Sequence, residues 1–247
     1  MTDSREVLTR PASPPDLTLS YGPHPDHVID VRLPSRSEAP LVVVLHGGFW
    51  RSAYDRRHTG PMASALAAAG YVVAIPEYRR TGQEGGGWPG TFDDVAAALD
   101  AMPSLLEPYA AMPPVVMGHS AGGHLAVWAA TRPSARLRGV VSLAGCLDLL
   151  MCSDLNLDDG AADLLLGGSP AEVPDRYAAA DPARLALPAA PVRLLHGTSD
   201  DRVPIEVSRS YAARRGAPLR ELPGVGHFAL IDPLSGAWPT VLDALPR

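Results

Sequence analysis

The sequence contains no lysine, so all 21 of its basic residues are arginine. Without a lysine amine, the chain cannot form a Schiff base with a carbonyl substrate or with pyridoxal phosphate. A nucleotide-binding loop of the Walker A type also requires a lysine. These classes of enzyme are therefore excluded before any motif is considered.

Cysteine is almost absent as well, since Cys146 and Cys152 are the only two. Two thiols are too few for a disulfide scaffold, and no spacing of cysteine and histidine is typical of a zinc site. We therefore interpret both cysteines as structural thiols and expect no metal.

Long apolar runs and runs of positive charge are also missing. The longest apolar stretches, such as residues 41–45, are far too short to cross a bilayer, and the N-terminus has no apolar signal segment. The net charge is -6 without a basic cluster, which removes the attraction that drives binding to nucleic acids or anionic membranes. We expect a cytoplasmic protein that acts on small neutral molecules and binds neither nucleic acid nor membrane.

Short apolar, β-branched runs alternate with helical patterns along the chain. The runs predicted to be buried strands are residues 41–45, 71–75, 115–117, 140–143 and 192–195. The predicted helices are residues 61–69, 92–102, 121–131, 205–215 and a last helix that ends near residue 245. Thr91, followed by Asp94, predicts a capping box at the second helix. The alternation predicts an α/β fold whose mostly parallel central sheet is covered by helices on both faces.

The chain length and its 46% apolar content are sufficient for one core, so we predict a single domain over residues 1–247. Residues 17–20 and 28–33 are typical of an antiparallel hairpin that leads into the sheet. We expect residues 1–15 to be flexible. Residues 148–188 lose strand periodicity and predict a small cap insertion over the sheet.

The strongest chemical signal is the sequence Gly118-His119-Ser120-Ala121-Gly122. This G-x-S-x-G pentapeptide follows a predicted strand and opens a predicted helix, which is the setting of an exposed serine nucleophile. Glycines at both ends relieve the crowding of such a sharp turn. We predict that Ser120 is the nucleophile and that the amide of Ala121 binds an oxyanion, the alternative being a plain structural turn.

A second motif, His46-Gly47-Gly48-Phe49-Trp50, follows the first predicted parallel strand. Its position ahead of the serine favours an oxyanion loop, with the amides of Gly48 and Phe49 as donors. We expect the rings of Phe49 and Trp50 to close the part of the site that holds the acyl group and to offer an aromatic surface for the leaving group. The alternative is that these rings pack in a lid or in the core.

A serine nucleophile needs a base and an acid that orients it, which follow the serine in this order of motifs. Of the eight histidines, His227 alone follows both the serine and the candidate acids of the loop HGTSDDRVP. Asp200 is favoured as the acid because it fits the form HGxxDxxVP, with Asp201 expected to face solvent. Asp232 is a third candidate.

At HGGFW, GHSAGGHLA and GHF the sequence resembles the kynurenine formamidases (arylformamidases), whose usual forms are HGGYW and GHSAGAHLA, and the wider carboxylesterase group. The order of motifs covers most of the chain from residue 41 onward. The resemblance implies an α/β-hydrolase fold and no cofactor. It also implies a triad of Ser120, Asp200 and His227, with Gly48, Phe49 and Ala121 around the oxyanion. Phe49 replaces the family tyrosine, which removes a hydroxyl.

These features predict a serine hydrolase that cleaves a small acyl ester or amide through an acyl-enzyme. The first expectation is an arylformamidase that converts N-formylkynurenine to kynurenine and formate. A short-chain carboxylesterase is the alternative within the same chemistry. A non-catalytic ligand receptor on the same fold is the alternative from another class, and the complete triad argues against it.

Overall fold

The computed structural model describes residues 4–35, 39–107, 109 and 112–246, and within them the backbone forms an eight-stranded sheet. Its strands are β1 (Leu17–Ser20), β2 (Val28–Arg32), β3 (Leu41–Leu45), β4 (Val72–Pro76), β5 (Val115–His119), β6 (Gly139–Leu143), β7 (Val192–Gly197) and β8 (Leu219–Leu222). The spatial order is β1-β2-β4-β3-β5-β6-β7-β8. Six neighbouring strands, β4, β3, β5, β6, β7 and β8, run parallel to one another. The strand β2 is antiparallel to β4.

The predicted hairpin is confirmed, because β1 and β2 pair antiparallel with Leu17 opposite Val31. The five predicted parallel strands are confirmed to within two residues at each end. The sequence pattern misses β8, which pairs with β7 at the edge of the sheet. This strand reads Leu-Arg-Glu-Leu and buries only Leu222, so it carries no apolar run to reveal it.

Helices cover both faces of the sheet, as the alternation predicts. They are α1 (Gly60–Ala68), α2 (Gly90–Leu105), α3 (Ala121–Ala130), α4 (Leu149–Asp154), α5 (Ala161–Leu166), α6 (Pro174–Ala180), α7 (Ile205–Arg215) and α8 (Trp238–Asp243). Successive residues of each central strand point to opposite faces of the sheet. On β3, Val43 packs in the apolar cluster with α2, α3 and α7, whereas Val42 packs in the cluster with α1 and α8. None of the helices in the described ranges is long and apolar enough to cross a membrane.

The predicted capping box is wrong. Thr91 lies inside α2, where its hydroxyl donates to the Arg79 carbonyl at 2.6 Å and accepts from the Gly87 amide at 3.0 Å. Asp94 binds the Arg79 guanidinium at 2.7 Å and the His27 ring at 3.0 Å. The spacing of the two side chains fits a capping box. In the fold, however, both form hydrogen bonds with residues outside α2 instead of capping the start of the helix.

The N-terminal segment, which the sequence predicts to be flexible, makes several contacts with the rest of the fold. Val7 is fully buried in the cluster that also contains α1 and α8. Arg10 forms a forked ion pair with Asp232, in which Nη2 lies 3.1 Å from Oδ2. Arg32 donates to the Pro14 carbonyl at 3.2 Å. A short segment with one buried valine shows no periodicity, so the pattern could not predict these contacts; residues 1–3 lie outside the described residues.

The insertion expected over residues 148–188 contains α4, α5 and α6. It packs beside α3, where His124 Nε2 donates to the Ala180 carbonyl at 2.9 Å and Trp128 Nε1 donates to the Ala179 carbonyl at 3.1 Å. Residues of α4, α5 and α6 therefore pack against α3, in the apolar cluster on that face of the sheet.

Candidate active site

The candidate residues lie in loops that follow the carboxyl ends of neighbouring parallel strands. His46 follows β3, Ser120 follows β5, Asp200 follows β7, and His227 follows β8 at the start of a 3-10 helix, His227–Leu230. Parallel strands bring these ends to one edge of the sheet. A cavity of about 40 Å³ at this edge is lined by Ser120, His227, Gly48 and Phe49, among others.

Ser120 occupies a strained turn between β5 and α3. Its φ of 56° and ψ of -121° are uncommon for a residue with a side chain. The turn is tight because a Cβ at Gly118 would lie 2.0 Å from the Gly122 carbonyl oxygen, and a Cβ at Gly122 would lie 2.0 Å from the Leu45 carbonyl oxygen. The crowding argument for the two glycines is therefore confirmed. The Ser120 amide donates to the Leu143 carbonyl at 2.8 Å, which anchors the turn to β6.

The loop after β3 lies directly against this turn. A Cβ at Gly47 would lie 3.0 Å from the Ser120 Cβ, so only glycine permits this approach. Gly48, Phe49 and Trp50 have φ values of 114°, 48° and 55°, a run of left-handed residues that turns the chain sharply. Gly48 and Phe49 line the cavity, and Ala121 is the first residue of α3 directly after Ser120. The three oxyanion candidates are thus brought to one place.

Trp50 does not take the position expected of it. Its side chain is 1% exposed, its ring lies 5.2 Å from that of His124, and it is not part of the cavity wall. The core-packing alternative describes it correctly. Tyr54 and His58 line the cavity instead, and sequence reasoning missed both because the loop that carries them has no periodic pattern.

Asp200 and His227 form the closest polar contact of the site. His227 Nδ1 donates to Asp200 Oδ2 at 2.6 Å, and both side chains are buried. Asp200 Oδ1 accepts from the amides of Arg202 and Val203, each at 2.8 Å, while His196 Nε2 lies 3.2 Å from Oδ2. Burial alone would raise the pKa of the Asp200 carboxyl, but the hydrogen bonds from His196 and His227 outweigh it and hold this pKa far below its usual value.

The two alternative acids lie elsewhere. The Asp201 side chain is 67% exposed and pairs with Arg5 at 3.5 Å, as expected of a solvent-facing residue. Asp232 is bound by Arg10, and this hydrogen bond lowers the pKa of its carboxyl. The structure therefore brings Asp200, and neither of its rivals, to His227.

Ser120 and His227 face one cavity, but no hydrogen bond joins the serine hydroxyl to the imidazole among the described contacts. Such bonds commonly tighten only when substrate is bound. His119 holds the main chain of the base, since its Nε2 donates to the His227 carbonyl at 3.1 Å. Within the described ranges, no group of three histidine, cysteine, aspartate or glutamate side chains is placed to hold a metal ion.

Comparison with protein-family profiles matches residues 29–214 to BD-FAE, which is more than half of the chain. The chain belongs to the BD-FAE family. The matched range includes Ser120 and Asp200 and ends before His227.

Two curated proteins show what the chain is similar to. The chain is 25% identical over 191 residues to the probable carboxylic ester hydrolase LipM of Mycobacterium tuberculosis, covering 70% of this chain and 44% of that protein. It is 28% identical over 144 residues to the kynurenine formamidase of Salmo salar, covering 54% of this chain and 47% of that protein. The chain thus spans a little under half the length of each relative.

The fold agrees with a solved structure described as a truncated form of a carbohydrate esterase from gut microbiota. The TM-score is 0.75 at 20% identity, over 87% of this chain and 92% of that one. This BD-FAE member has the α/β-hydrolase fold that the sequence motifs imply.

A second buried carboxylate fixes the start of the loop after β3. His46 Nε2 lies 2.8 Å from Glu77 Oε1, and the Tyr78 hydroxyl donates to the His46 carbonyl at 2.7 Å. Glu77 also contacts Arg80 at 2.7 Å and accepts from the Arg56 amide at 2.9 Å. Burial would raise the pKa of Glu77, but His46, Arg80 and the Arg56 amide lower it to about 2.

Replacement of this carboxylate tests how strongly the network stabilises the loop. The pKa of Glu77 falls from 4.5 to about 2 on folding. Its charged form therefore stabilises the fold above the unfolded pKa, and this contribution is lost as the pH falls toward 2. We expect Glu77→Gln to lower the free energy of unfolding by roughly 3 kcal/mol at pH 7, measured by urea denaturation.

The difference in free energy of unfolding between the wild type and Glu77→Gln should shrink steadily between pH 5 and pH 3. Glu206→Gln is the matched control, because the Glu206 side chain is 59% exposed, and we expect it to change stability by less than about 0.5 kcal/mol. A loss in Glu77→Gln that is the same at all three pH values would contradict the electrostatic origin.

Proposed function

We propose that the protein is a serine hydrolase that cleaves a small acyl ester or amide through an acyl-enzyme. The observation that carries the proposal is the 2.6 Å contact between His227 Nδ1 and the buried Asp200 carboxylate, in a cavity shared with Ser120. With Nδ1 donating to Asp200, the neutral imidazole keeps Nε2 free to accept a proton.

In the proposed first step, His227 Nε2 accepts the proton of the Ser120 hydroxyl while the serine oxygen attacks the acyl carbon. The carbonyl oxygen becomes an anion that the amides of Gly48, Phe49 and Ala121 stabilise. His227 then gives its proton to the leaving alcohol or amine as that bond breaks. Water hydrolyses the acyl-serine by the same route, so the acid is released and both Ser120 and His227 are restored.

The size of the cavity favours a small acyl group. Its volume of about 40 Å³ is a few times the roughly 10–15 Å³ that a cavity needs to hold one water. We propose formyl on an arylamine as the first substrate and acetyl on a simple ester as the alternative. Phe49 and Phe228 supply an aromatic surface for the leaving group, whereas Trp50 does not line the cavity. The resemblance to both a formamidase and an ester hydrolase is consistent with either.

An organophosphonate probe tests the nucleophile directly. We expect the probe to modify Ser120, because an activated serine beside a base and amide donors is what these reagents capture. Peptide mass mapping identifies the modified residue. Ser120→Ala should abolish labelling and lower kcat by about a millionfold, whereas exposed Ser104→Ala should change neither. Folded protein that takes up no label, or takes it up elsewhere, would favour the receptor alternative.

Paired substitutions test the acid. Asp200→Asn should lower kcat by about ten-thousandfold, because an amide stabilises the wrong tautomer of His227. Asp201→Asn removes the same charge one residue away from an exposed side chain and should have little effect. Steady-state kinetics on one aryl ester compares the two variants. The opposite ranking would assign the acid to Asp201.

A substrate panel on one purified sample tests the acyl group. We expect deformylation of N-formylkynurenine to have a higher kcat/KM than hydrolysis of p-nitrophenyl acetate, and acetate to be preferred over butyrate. Efficient ester hydrolysis with an untouched formamide would refute the formamidase proposal and leave the triad intact. A preference for butyrate would refute the small acyl cavity.

A further inference from the structure

His196 is a second imidazole in contact with the proposed acid. It lies in β7, its side chain is fully buried, and it does not line the cavity of Ser120. Its Nε2 lies 3.2 Å from Asp200 Oδ2, the same oxygen that accepts from His227 Nδ1 at 2.6 Å. His196 can therefore affect the proposed reaction only through Asp200 and the loop that carries it.

The neighbours of His196 determine which of its ring nitrogens carries the proton. Nε2 faces the Val203 carbonyl oxygen at 2.9 Å and the Asp200 carboxylate at 3.2 Å. Both oxygens can only accept, because the pKa of the Asp200 carboxyl is held far below its usual value. The proton of the neutral ring therefore lies on Nε2 and is shared between the two oxygens. Nδ1 is left to accept, and the Ser208 hydroxyl on α7 donates to it at 2.7 Å.

These hydrogen bonds also fix the loop between the acid and α7. The Val203 amide donates to Asp200 Oδ1 at 2.8 Å, while the carbonyl of the same residue accepts from His196. The side chains of His196 and Ser208 are 0% and 1% exposed, so water does not compete for their contacts. The Asp200 carboxylate is thus held by main-chain amides on one oxygen and by two imidazoles on the other.

We propose that His196 is a positioning residue that limits the basicity of His227 through the carboxylate oxygen they share, and that Ser208 holds its tautomer. Because the charge of this oxygen is divided between two N–H donors, it stabilises the imidazolium of His227 less than it would alone with that ring. His227 therefore loses its proton at a lower pH and is available as the base over a wider pH range. This inference rests on the proposed acyl transfer, in which only the neutral ring of His227 accepts the serine proton.

The other titratable or charged groups near the base keep one charge state between pH 5 and pH 8. Among the described residues, those that line its cavity are Tyr54, His58, His119 and Arg202. Burial lowers the pKa of His58 to about 4 and holds that of His119 well below its usual value, so both rings stay neutral. A phenol and a guanidinium do not titrate in this range. On the side of β8, Glu221 lies opposite His196 in the strand register, but its carboxylate binds Arg209 at 2.7 Å.

Replacement of His196 tests the proposal through the pH dependence of kcat/KM for p-nitrophenyl acetate. In His196→Asn the amide reaches the position of Nδ1 but not that of Nε2, so the donor to Asp200 is lost. We expect the pH of half-maximal kcat/KM to rise by about half a pH unit, because the carboxylate then stabilises the imidazolium of His227 more strongly. His196→Gln carries a donor to the position of Nε2 and should restore the midpoint of the wild type.

Ser208→Ala tests the tautomer while it keeps the ring of His196. Without the hydroxyl, Nδ1 loses its donor and the ring is held less firmly against the acid, so we expect the midpoint to rise by a smaller amount. Ser210→Ala is the matched control on the same helix, because the Ser210 hydroxyl donates to Asp148 and not to His196. It should leave the midpoint unchanged.

His124→Asn is the control for the loss of a buried histidine. His124 is also 0% exposed and its Nε2 donates to a carbonyl, that of Ala180, at 2.9 Å, but no described contact joins it to Asp200. This variant should lower the free energy of unfolding without moving the midpoint. An equal rise in His124→Asn, a midpoint in His196→Gln that matches His196→Asn, or no rise in His196→Asn would overturn the proposal.

NMR of isotope-labelled histidines separates this inference from the proposed function, because it follows the protonation of each imidazole without any turnover. We expect the spectra of the wild type to show the proton of His196 on Nε2, and a proton on Nδ1 instead would contradict the arrangement. The titration of His227 is then compared between Ser120→Ala and Ser120→Ala/His196→Asn. If the double variant does not fold, Ser120→Ala/Ser208→Ala decides by the same measurement.

A titration of His227 that moves to higher pH supports the proposal even if no ester is hydrolysed and no phosphonate reacts. Active enzyme that is labelled on Ser120, but whose His227 titrates at the same pH with and without the His196 donor, would refute the positioning role and leave the hydrolase proposal standing.

Discussion

The contact of backbone against backbone around Ser120 is the constraint on which the rest of the site depends. Gly118 and Gly122 let the end of β5, the start of α3 and the carbonyl end of β3 approach within distances that no side chain would permit. This packing holds Ser120 at a φ that serine would otherwise avoid. It also places the first amide of α3 beside the loop of Gly48 and Phe49, so the nucleophile and the oxyanion donors of the proposed reaction share one rigid support.

Two buried carboxylates, Glu77 and Asp200, stabilise different parts of the site. Glu77 contacts His46 together with the cation of Arg80, and the result is a fixed loop with largely balanced charge. Asp200 contacts two imidazoles and two main-chain amides, and no arginine side chain contacts it among the described interactions. Its charge is therefore directed toward His227, where it can stabilise the imidazolium of the proposed mechanism. The same chemical group fixes the loop shape in one place and supports proton transfer in the other.

The wall of the cavity is built by residues from several separate loops. The N-terminal segment contributes Leu8, the loop after β3 contributes Tyr54 and His58, and the loop of Asp200 contributes Arg202. Leu8 lies outside the range 29–214 that matches the family, whereas Tyr54, His58 and Arg202 lie inside it but outside the HGGFW, GHSAGGHLA and GHF motifs. A common scaffold thus carries the proposed acyl transfer, while residues on loops set the size and charge of the space that a substrate enters.

The sequence by itself determined the α/β alternation, the parallel strands rich in valine, and the strand-turn-helix setting of Ser120, because the physical causes of these features act between neighbouring residues. Chain order favoured His227 as the base, and the form HGxxDxxVP favoured Asp200 over Asp201 as the acid. The tertiary structure supports this preference, because it buries the Asp200 carboxylate against His227 and leaves that of Asp201 in solvent. It also placed Trp50 in the core, paired β8 at the edge of the sheet, buried Val7 and brought Arg202 to the cavity wall. These outcomes depend on contacts between residues far apart in the chain, which leave no periodic signal in the sequence.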